Sequence, residues 1–294
     1  MRAISGAVSL ALLVSVCAGA DWKEVRQTLG RDGEIDEGVL RVSFPRTDLH
    51  VTKDGVPVSA ELVLDSWYGF WPQPDGSTVL MGDTCCREDE LDGVLHEIAT
   101  QGLELTALHN HLIGETPRVL FVHLSGRGRA EDLARKAKSV LSRTHAPVKP
   151  EPEKDAKESA RDWTRITAVL GEPGEREGDI IAYDFPRTER LTMTGQPMPS
   201  TDALETAPEV KFQMFADGRA ITYGEMIVTS AEVNPVFQAL EQHGIGVTAL
   251  HNHMIAEEPR LFFMHWWAVG DPGKLAGGVR AALGQAHVGK QSQP

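Results

Sequence analysis

Apolar positions along the chain change period several times, and the order of those changes recurs. From Glu88 to Gln101, residues Leu91, Val94, Leu95 and Ile98 fall on one helical face, and Gly102 ends the run. A shorter helix is expected from Trp22 to Leu29, capped by Asp21 and stopped by Gly30, and a closing helix from Ala130 to Leu141. Val39 to Phe44, Ala60 to Phe70 and Thr78 to Met81 are rich in branched and aromatic residues and bounded by Pro, Gly and Asp, which is the pattern of strands. Glu104 to His111 and Arg118 to Leu124 then form a strand pair around a short turn. These elements imply an α+β unit, a mainly antiparallel sheet packed against helices.

The unit occurs twice. Thr106-Ala107-Leu108-His109-Asn110-His111 returns letter for letter as Thr248-Ala249-Leu250-His251-Asn252-His253. The match extends to Gly82 with Gly224, Glu90 with Glu232, Glu115 with Glu257, Pro117-Arg118 with Pro259-Arg260 and His123 with His265. Upstream, one residue out of phase, Phe44-Pro45-Arg46-Thr47 matches Phe185-Pro186-Arg187-Thr188. The expected organisation is two homologous domains, 21–143 and 161–284, joined by a linker at 144–160 and followed by a mobile tail at 285–294. The linker carries a Pro-Val-Lys-Pro-Glu-Pro-Glu-Lys-Asp run with no apolar period.

Residues 1–20 read as a signal peptide: Arg2 supplies positive charge, Ala7 to Val16 an apolar core, and Ala18-Gly19-Ala20 the small residues of a cleavage site. The protein is therefore expected outside the cytoplasm, in the periplasm or beyond the cell, with no transmembrane span after cleavage. Cys17 raises lipid anchoring as an alternative, against which Val16 places a branched residue where a small one is wanted. After cleavage only Cys85 and Cys86 remain, too close for an unstrained disulfide with each other.

A formal net charge of −13 disfavours nucleic acid and anionic membrane as partners. Hydrophobic residues at 41% and charged residues at 24% describe a chain that folds. No phosphate-cradling glycine loop and no Gly-x-Ser-x-Gly elbow is present, so nucleotide chemistry and a serine nucleophile lack support. The letters His-Asn-His do not make the endonuclease motif of that nickname, whose residues spread over a longer unit.

The chemistry concentrates in the repeated hairpin. Side chains two apart on a strand share a face, so His109 and His111 project together, and His123 returns diagonal to His109. With Glu115 in the turn, the pattern is His-x-His-x3-Glu-x7-His, repeated as His251, His253, Glu257 and His265. Three imidazoles and a carboxylate suit a divalent metal, zinc first and iron, manganese or copper next. The opening of the pattern resembles the first metal motif of cupins. Two placements follow, one site per domain or one cleft shared about a pseudo-twofold axis. With an open position, such a metal can activate water for hydrolysis. The competing interpretation is a noncatalytic envelope module with structural histidines, whose aromatics Trp67, Tyr68, Phe70, Trp71, Trp266 and Trp267 meet a glycan, peptide, small molecule or partner protein. Arg46 and Arg187 are candidate anion clamps, or else partners of Glu90 and Glu232 in buried salt bridges.

The tandem pattern also resembles a known family. Pro45-Arg46-Thr47-Asp48 and Thr106 to His111 in one copy, with Glu232-Val233-Asn234-Pro235-Val236, Val247 to His253 and Pro259 to His265 in the other, look like the LppY/LpqO family of bacterial exported proteins. That resemblance implies export and a duplicated domain of unknown function, with no reaction attached.

Overall fold

In the computed structural model, residues 21–149, 161–171 and 174–289 are described. The segment 1–20 expected as a signal peptide, with Cys17, positions 150–160 of the expected linker, residues 172–173 and the last five residues lie outside the described residues.

The first repeat runs α1 (Lys23–Leu29), β1 (Glu34–Asp36), β2 (Val39–Pro45), β3 (Val51–Lys53), β4 (Val56–Val58), α2 (Ala60–Val63), β5 (Asp65–Pro72), β6 (Thr78–Arg87), α3 (Leu91–Thr100), β7 (Glu104–His109), β8 (Val119–Gly128) and α4 (Ala130–Leu141). The second runs α5 (Thr164–Leu170), β9 (Glu175–Glu177), β10 (Ile180–Asp184), β11 (Leu191–Met193), β12 (Gln196–Met198), a 3-10 turn at Asp202–Leu204, β13 (Glu209–Met214), β14 (Ala220–Thr229), α6 (Val233–Gln242), β15 (Gly246–His251), β16 (Glu257–Glu258), β17 (Leu261–Gly270) and α7 (Pro272–Leu283). Each repeat builds one six-stranded antiparallel sheet, ordered β1-β2-β5-β6-β8-β7 and, as its image, β9-β10-β13-β14-β17-β15.

The α+β reading of two like domains is what the structure shows, with two changes of detail. The apolar run from Ala60 to Phe70 is not one strand: Ala60–Val63 coil into a helical turn before β5 begins at Asp65, whose carboxylate accepts the Phe44 amide at 2.8 Å. The strand expected to stop at Met81 continues through Gly82 and Asp83 to Arg87. Gly82 and its image Gly224 permit this, because a Cβ there would meet a backbone oxygen of the neighbouring strand at 2.8 Å and 2.4 Å.

Sheet faces decide the architecture. One face of each sheet is covered by its own helices, giving one core with Leu29, Val94, Ile98, Leu133 and Val140 and another with Ile166, Val236, Leu240, Leu275 and Val279. The opposite faces meet each other, since two further clusters mix the repeats: Leu49, Val51 and Phe121 with Ile221, Tyr223 and Trp267, and Trp67, Val79 and Met81 with Met193, Met254 and Phe263. The order of layers is helices, sheet, sheet, helices. Trp67, Tyr68, Phe70, Trp71, Trp266 and Trp267 are all buried, so they are core and not an exposed aromatic surface.

The chain after each closing helix folds back onto its repeat. The His145 ring lies 2.6 Å from Glu90 and the His287 ring 2.7 Å from Glu232, and Val288 bridges to Arg187. Arg31 donates to the carbonyls of Pro147 and Val148. The described starts of the linker and tail are thus docked segments.

Candidate metal centre

The strand register sets which histidines share a face. Ala107 stands opposite His123 and His109 opposite Phe121, after a bulge between Leu105 and Ala107; Ala249, His265, His251 and Phe263 repeat this with a bulge between Val247 and Ala249. The bulge shifts the phase of the edge strand, so His109 and His251 turn toward the inter-sheet layer with His123 and His265. On the next strand inward, Asp83 stands opposite His123 and Glu225 opposite His265.

The two hairpins converge. Ring centroids of His109 and His251 are 3.6 Å apart, His123 and His253 3.8 Å, and His111 and His265 4.0 Å. His111 stacks on Phe121 and His253 on Phe263, each at 3.5 Å. The asparagines between the histidines join the copies: Asn110 Nδ2 donates to the Thr248 carbonyl at 3.0 Å and Asn252 Nδ2 to the Thr106 carbonyl at 2.8 Å. Thr248 Oγ1 also donates to the His111 carbonyl at 2.6 Å. The histidines of both copies thus meet in one cleft between the sheets, where donor sets drawn from a single repeat and sets drawn from both lie side by side.

Donor atoms are crowded and short of partners. His253 Nε2 and His265 Nε2 lie 3.0 and 3.1 Å from Glu225 Oε2, and His123 Nε2 and His111 Nε2 lie 3.6 and 3.8 Å from Asp83 Oδ2. His111 Nε2 and His109 Nε2 are 3.0 Å apart. Asp83 Oδ1, His109 Nδ1, His123 Nε2, His251 Nε2 and His253 Nδ1 are buried without a hydrogen-bond partner, and His253 Nε2 and His265 Nε2, though close to Glu225, do not meet it in hydrogen-bond geometry. Leaving such atoms unpaired costs about 1–3 kcal/mol each, and a cation would relieve several at once. Burial, then the charge of neighbouring imidazoles, pushes His109, His111 and His253 well below the ordinary imidazole value. Burial likewise leads in holding His123 and His251 down. Neutral imidazole is the ligating form. Burial, reinforced by Glu225, pushes Asp83 well above the carboxylate range.

Several sets of these atoms lie within 4.8 Å of one another, which suits a bound ion: His109, His111, His251 and His265; Glu225, His251, His253 and His265; Asp83, His109 and His123; and His123, Glu205 and His253.

All six histidines singled out from sequence reach this cluster. The turn glutamates spend an oxygen on their own turns: Glu115 Oε1 accepts the Val119 amide at 3.3 Å, and Glu257 Oε1 accepts the Leu261 amide at 3.1 Å and pairs with Arg260 at 3.0 Å. Arg46 and Arg187 are structural. Arg46, fully buried, bonds Asp48, Glu90 at 2.9 Å and the Cys85 carbonyl at 2.8 Å, while Arg187 bonds Glu189, Glu232 at 2.9 Å and the Ile227 carbonyl. With their forks filled by these partners, the anion-clamp expectation gives way to the salt bridges. Sequence reasoning missed Asp83, Glu225, Glu205 and Tyr223, whose hydroxyl lies 2.9 Å from His111 Nδ1. The offset that aligns the histidines also aligns Asp83 with Glu225, a pairing of acids that the shortened strand concealed.

Residues 23–143 and 164–285 each match the model of a family described as Domain of Unknown Function (DUF1259). The chain belongs to this family. The two matched spans coincide with the two sheets that enclose the histidines, so the centre is assembled from two copies of the family domain. Comparison with curated proteins gave no match. Among solved structures, the trimeric bacterial microcompartment shell protein PduB is similar at 12% identity over 87% of this chain and 89% of that chain, with a TM-score of 0.20, too loose a superposition to inform either fold or function.

Proposed function

We propose that this protein is an exported divalent-metal protein whose metal centre is shared by its two repeats. The observation that carries this reading is the set of buried, unpartnered nitrogen and oxygen atoms on His109, His123, His251, His253, His265 and Asp83, gathered where the sheets meet. Two donor sets share no residue: Asp83, His109 and His123, and Glu225, His251, His253 and His265. They allow up to two ions, with zinc favoured by the histidine and carboxylate donors and iron, manganese or copper also accommodated. A metal that keeps an open position lowers the pKa of bound water, so hydrolysis is the reaction class we assign. Export rests on the N-terminal signal pattern and on the LppY/LpqO resemblance. Among the described residues no helix is long and apolar enough to cross a membrane.

The test is elemental analysis by plasma mass spectrometry on tag-free mature chain, beside the near-isosteric double variant Asp83→Asn/Glu225→Gln. One to two equivalents of a transition metal in the wild type, falling to a small fraction in the variant, is the expected result. No bound metal even after reconstitution would overturn the proposal and leave the histidines as structural members of a binding module.

A further inference from the structure

The two ends of the inter-sheet layer differ. Beside Glu225 and His265 in the second repeat, the next residues along on the same face are the cross-strand pair Tyr223 and Trp267; beside Asp83 and His123 in the first, the equivalent pair is Met81 and Ser125. Tyr223 and Trp267 fill their end by packing with Val51, Leu112 and Ile221. The Tyr223 hydroxyl lies 2.9 Å from His111 Nδ1 and 3.3 Å from His265 Nδ1. Lys53 covers that end, donating to the Ile113 carbonyl at 2.8 Å with its ammonium 6.0 Å from the Trp267 ring centroid.

At the other end a methionine and a serine leave the space open. A cavity of about 400 Å³ is lined there by Met81, Ser125, His123, Met193, Met254 and His253. Under the internal symmetry these are the images of Tyr223, Trp267, His265, Lys53, Leu112 and His111. The nitrogen that Tyr223 satisfies on His111 has its image in His253 Nδ1, which is buried and has no hydrogen-bond partner; the Glu205 carboxylate stands 3.9 Å away. One copy therefore carries, as its own side chains, the molecule-shaped filling that the other lacks.

We propose that this cavity is a binding site for a small, neutral, planar aromatic molecule bearing a hydroxyl, of the phenol or naphthol class. Its ring takes the place that the Tyr223–Trp267 pair holds in the other half, and its hydroxyl meets His253 Nδ1. Three lining methionines favour an aromatic guest, since thioether sulfur is polarisable and packs well against ring edges. Arg127 at the rim is engaged by Asp75 at 2.9 Å and Ser77 at 3.0 Å, which leaves it a poor anchor for an anionic ligand. The site shares His123 and His253 with the candidate donor sets but does not rest on the metal reading, because the cavity is formed by side chains of the fold and is probed in the chelated protein.

The probe is 2-naphthol, titrated calorimetrically into the full mature chain, once after chelation and once after zinc reconstitution, with metal content measured on the same samples. We expect saturable binding at one equivalent in both, with 2-methylnaphthalene weaker by roughly three- to tenfold for want of the hydrogen bond. Met81→Tyr/Ser125→Trp, which transplants the filling pair, abolishes binding while the circular dichroism spectrum and thermal midpoint are kept; Ser125→Leu narrows the same space more mildly and weakens it at least tenfold. No saturable binding to the wild type, or undiminished binding by either folded variant, overturns the site. Equal affinity for the two probes overturns the placement of the hydroxyl on His253. Because metal is assayed separately, a protein that retains no zinc after reconstitution yet binds 2-naphthol would remove only the metal reading.

Discussion

At the scale of single residues, the buried arginines show how the chain commits charge. Arg46 and Arg187 each neutralise a buried glutamate, and removing either leaves that carboxylate without its cation. Arg46→Ala is expected to cost about 3–5 kcal/mol by urea denaturation, and a cost below about 1 kcal/mol would show the pair to be incidental. The acids set a pH window. Burial alone would raise Glu90, but Arg46, His145 and the Arg87 amide outweigh it and hold the carboxyl at about 2. Glu232 is held at about 2 in the same way, by Thr229, the His287 amide and Arg187 against burial. A folded-state pKa below the unfolded one means that unfolding takes up protons, so this stability is full above about 4.5 and lost as pH falls toward about 2. Thermal midpoints between pH 6 and pH 3 should fall, and the fall should shrink in Glu90→Gln/Glu232→Gln. The arginines were legible as salt-bridge candidates because a Phe-Pro-Arg repeated beside an equally repeated Glu is a pattern. What no pattern of letters could tell was that the guanidinium is fully buried.

At the scale of elements, the His-Asn-His segment does two jobs, and the structure separates them. The histidines face the inter-sheet layer, while each asparagine reaches over to a threonine carbonyl on the other repeat's edge strand. An exposed edge invites uncontrolled pairing, and here β7 and β15 are each covered by the other copy through side-chain amides. Asn110→Ala or Asn252→Ala should each cost about 1–3 kcal/mol, from leaving a carbonyl and a turn less satisfied. The double variant should deviate from additivity, since both bonds act on one contact, and strict additivity in a double-mutant cycle would contradict that coupling. Periodicity placed the hairpin strands and the diagonal of His123 to His109, but it stopped β6 at Met81 because Gly82-Asp83 reads as a turn. Backbone pairing on both sides carries the strand through those residues, and that is how Asp83 enters the centre.

At the scale of the whole molecule, two sheets hold the buried histidines and acids between them, and neither repeat covers its own inner face. A repeat alone would expose that apolar surface together with its histidines, so the chain is expected to unfold in one calorimetric transition. Two separate transitions would show that the repeats are stable apart. Metal loading should raise the midpoint, by mass action on the folded state alone. The sequence by itself determined the duplication, the α+β composition of each copy and the six histidines, because repeats, periods and residue types are properties of the order of letters. Only the tertiary structure decided that the histidines of both copies form one cluster, that Asp83 and Glu225 stand beside them, and that one end is open where the other is filled. Those facts depend on which face of a sheet turns toward which neighbour. A two-residue period shows that a strand has two faces, and only the packing of one sheet against another assigns the face.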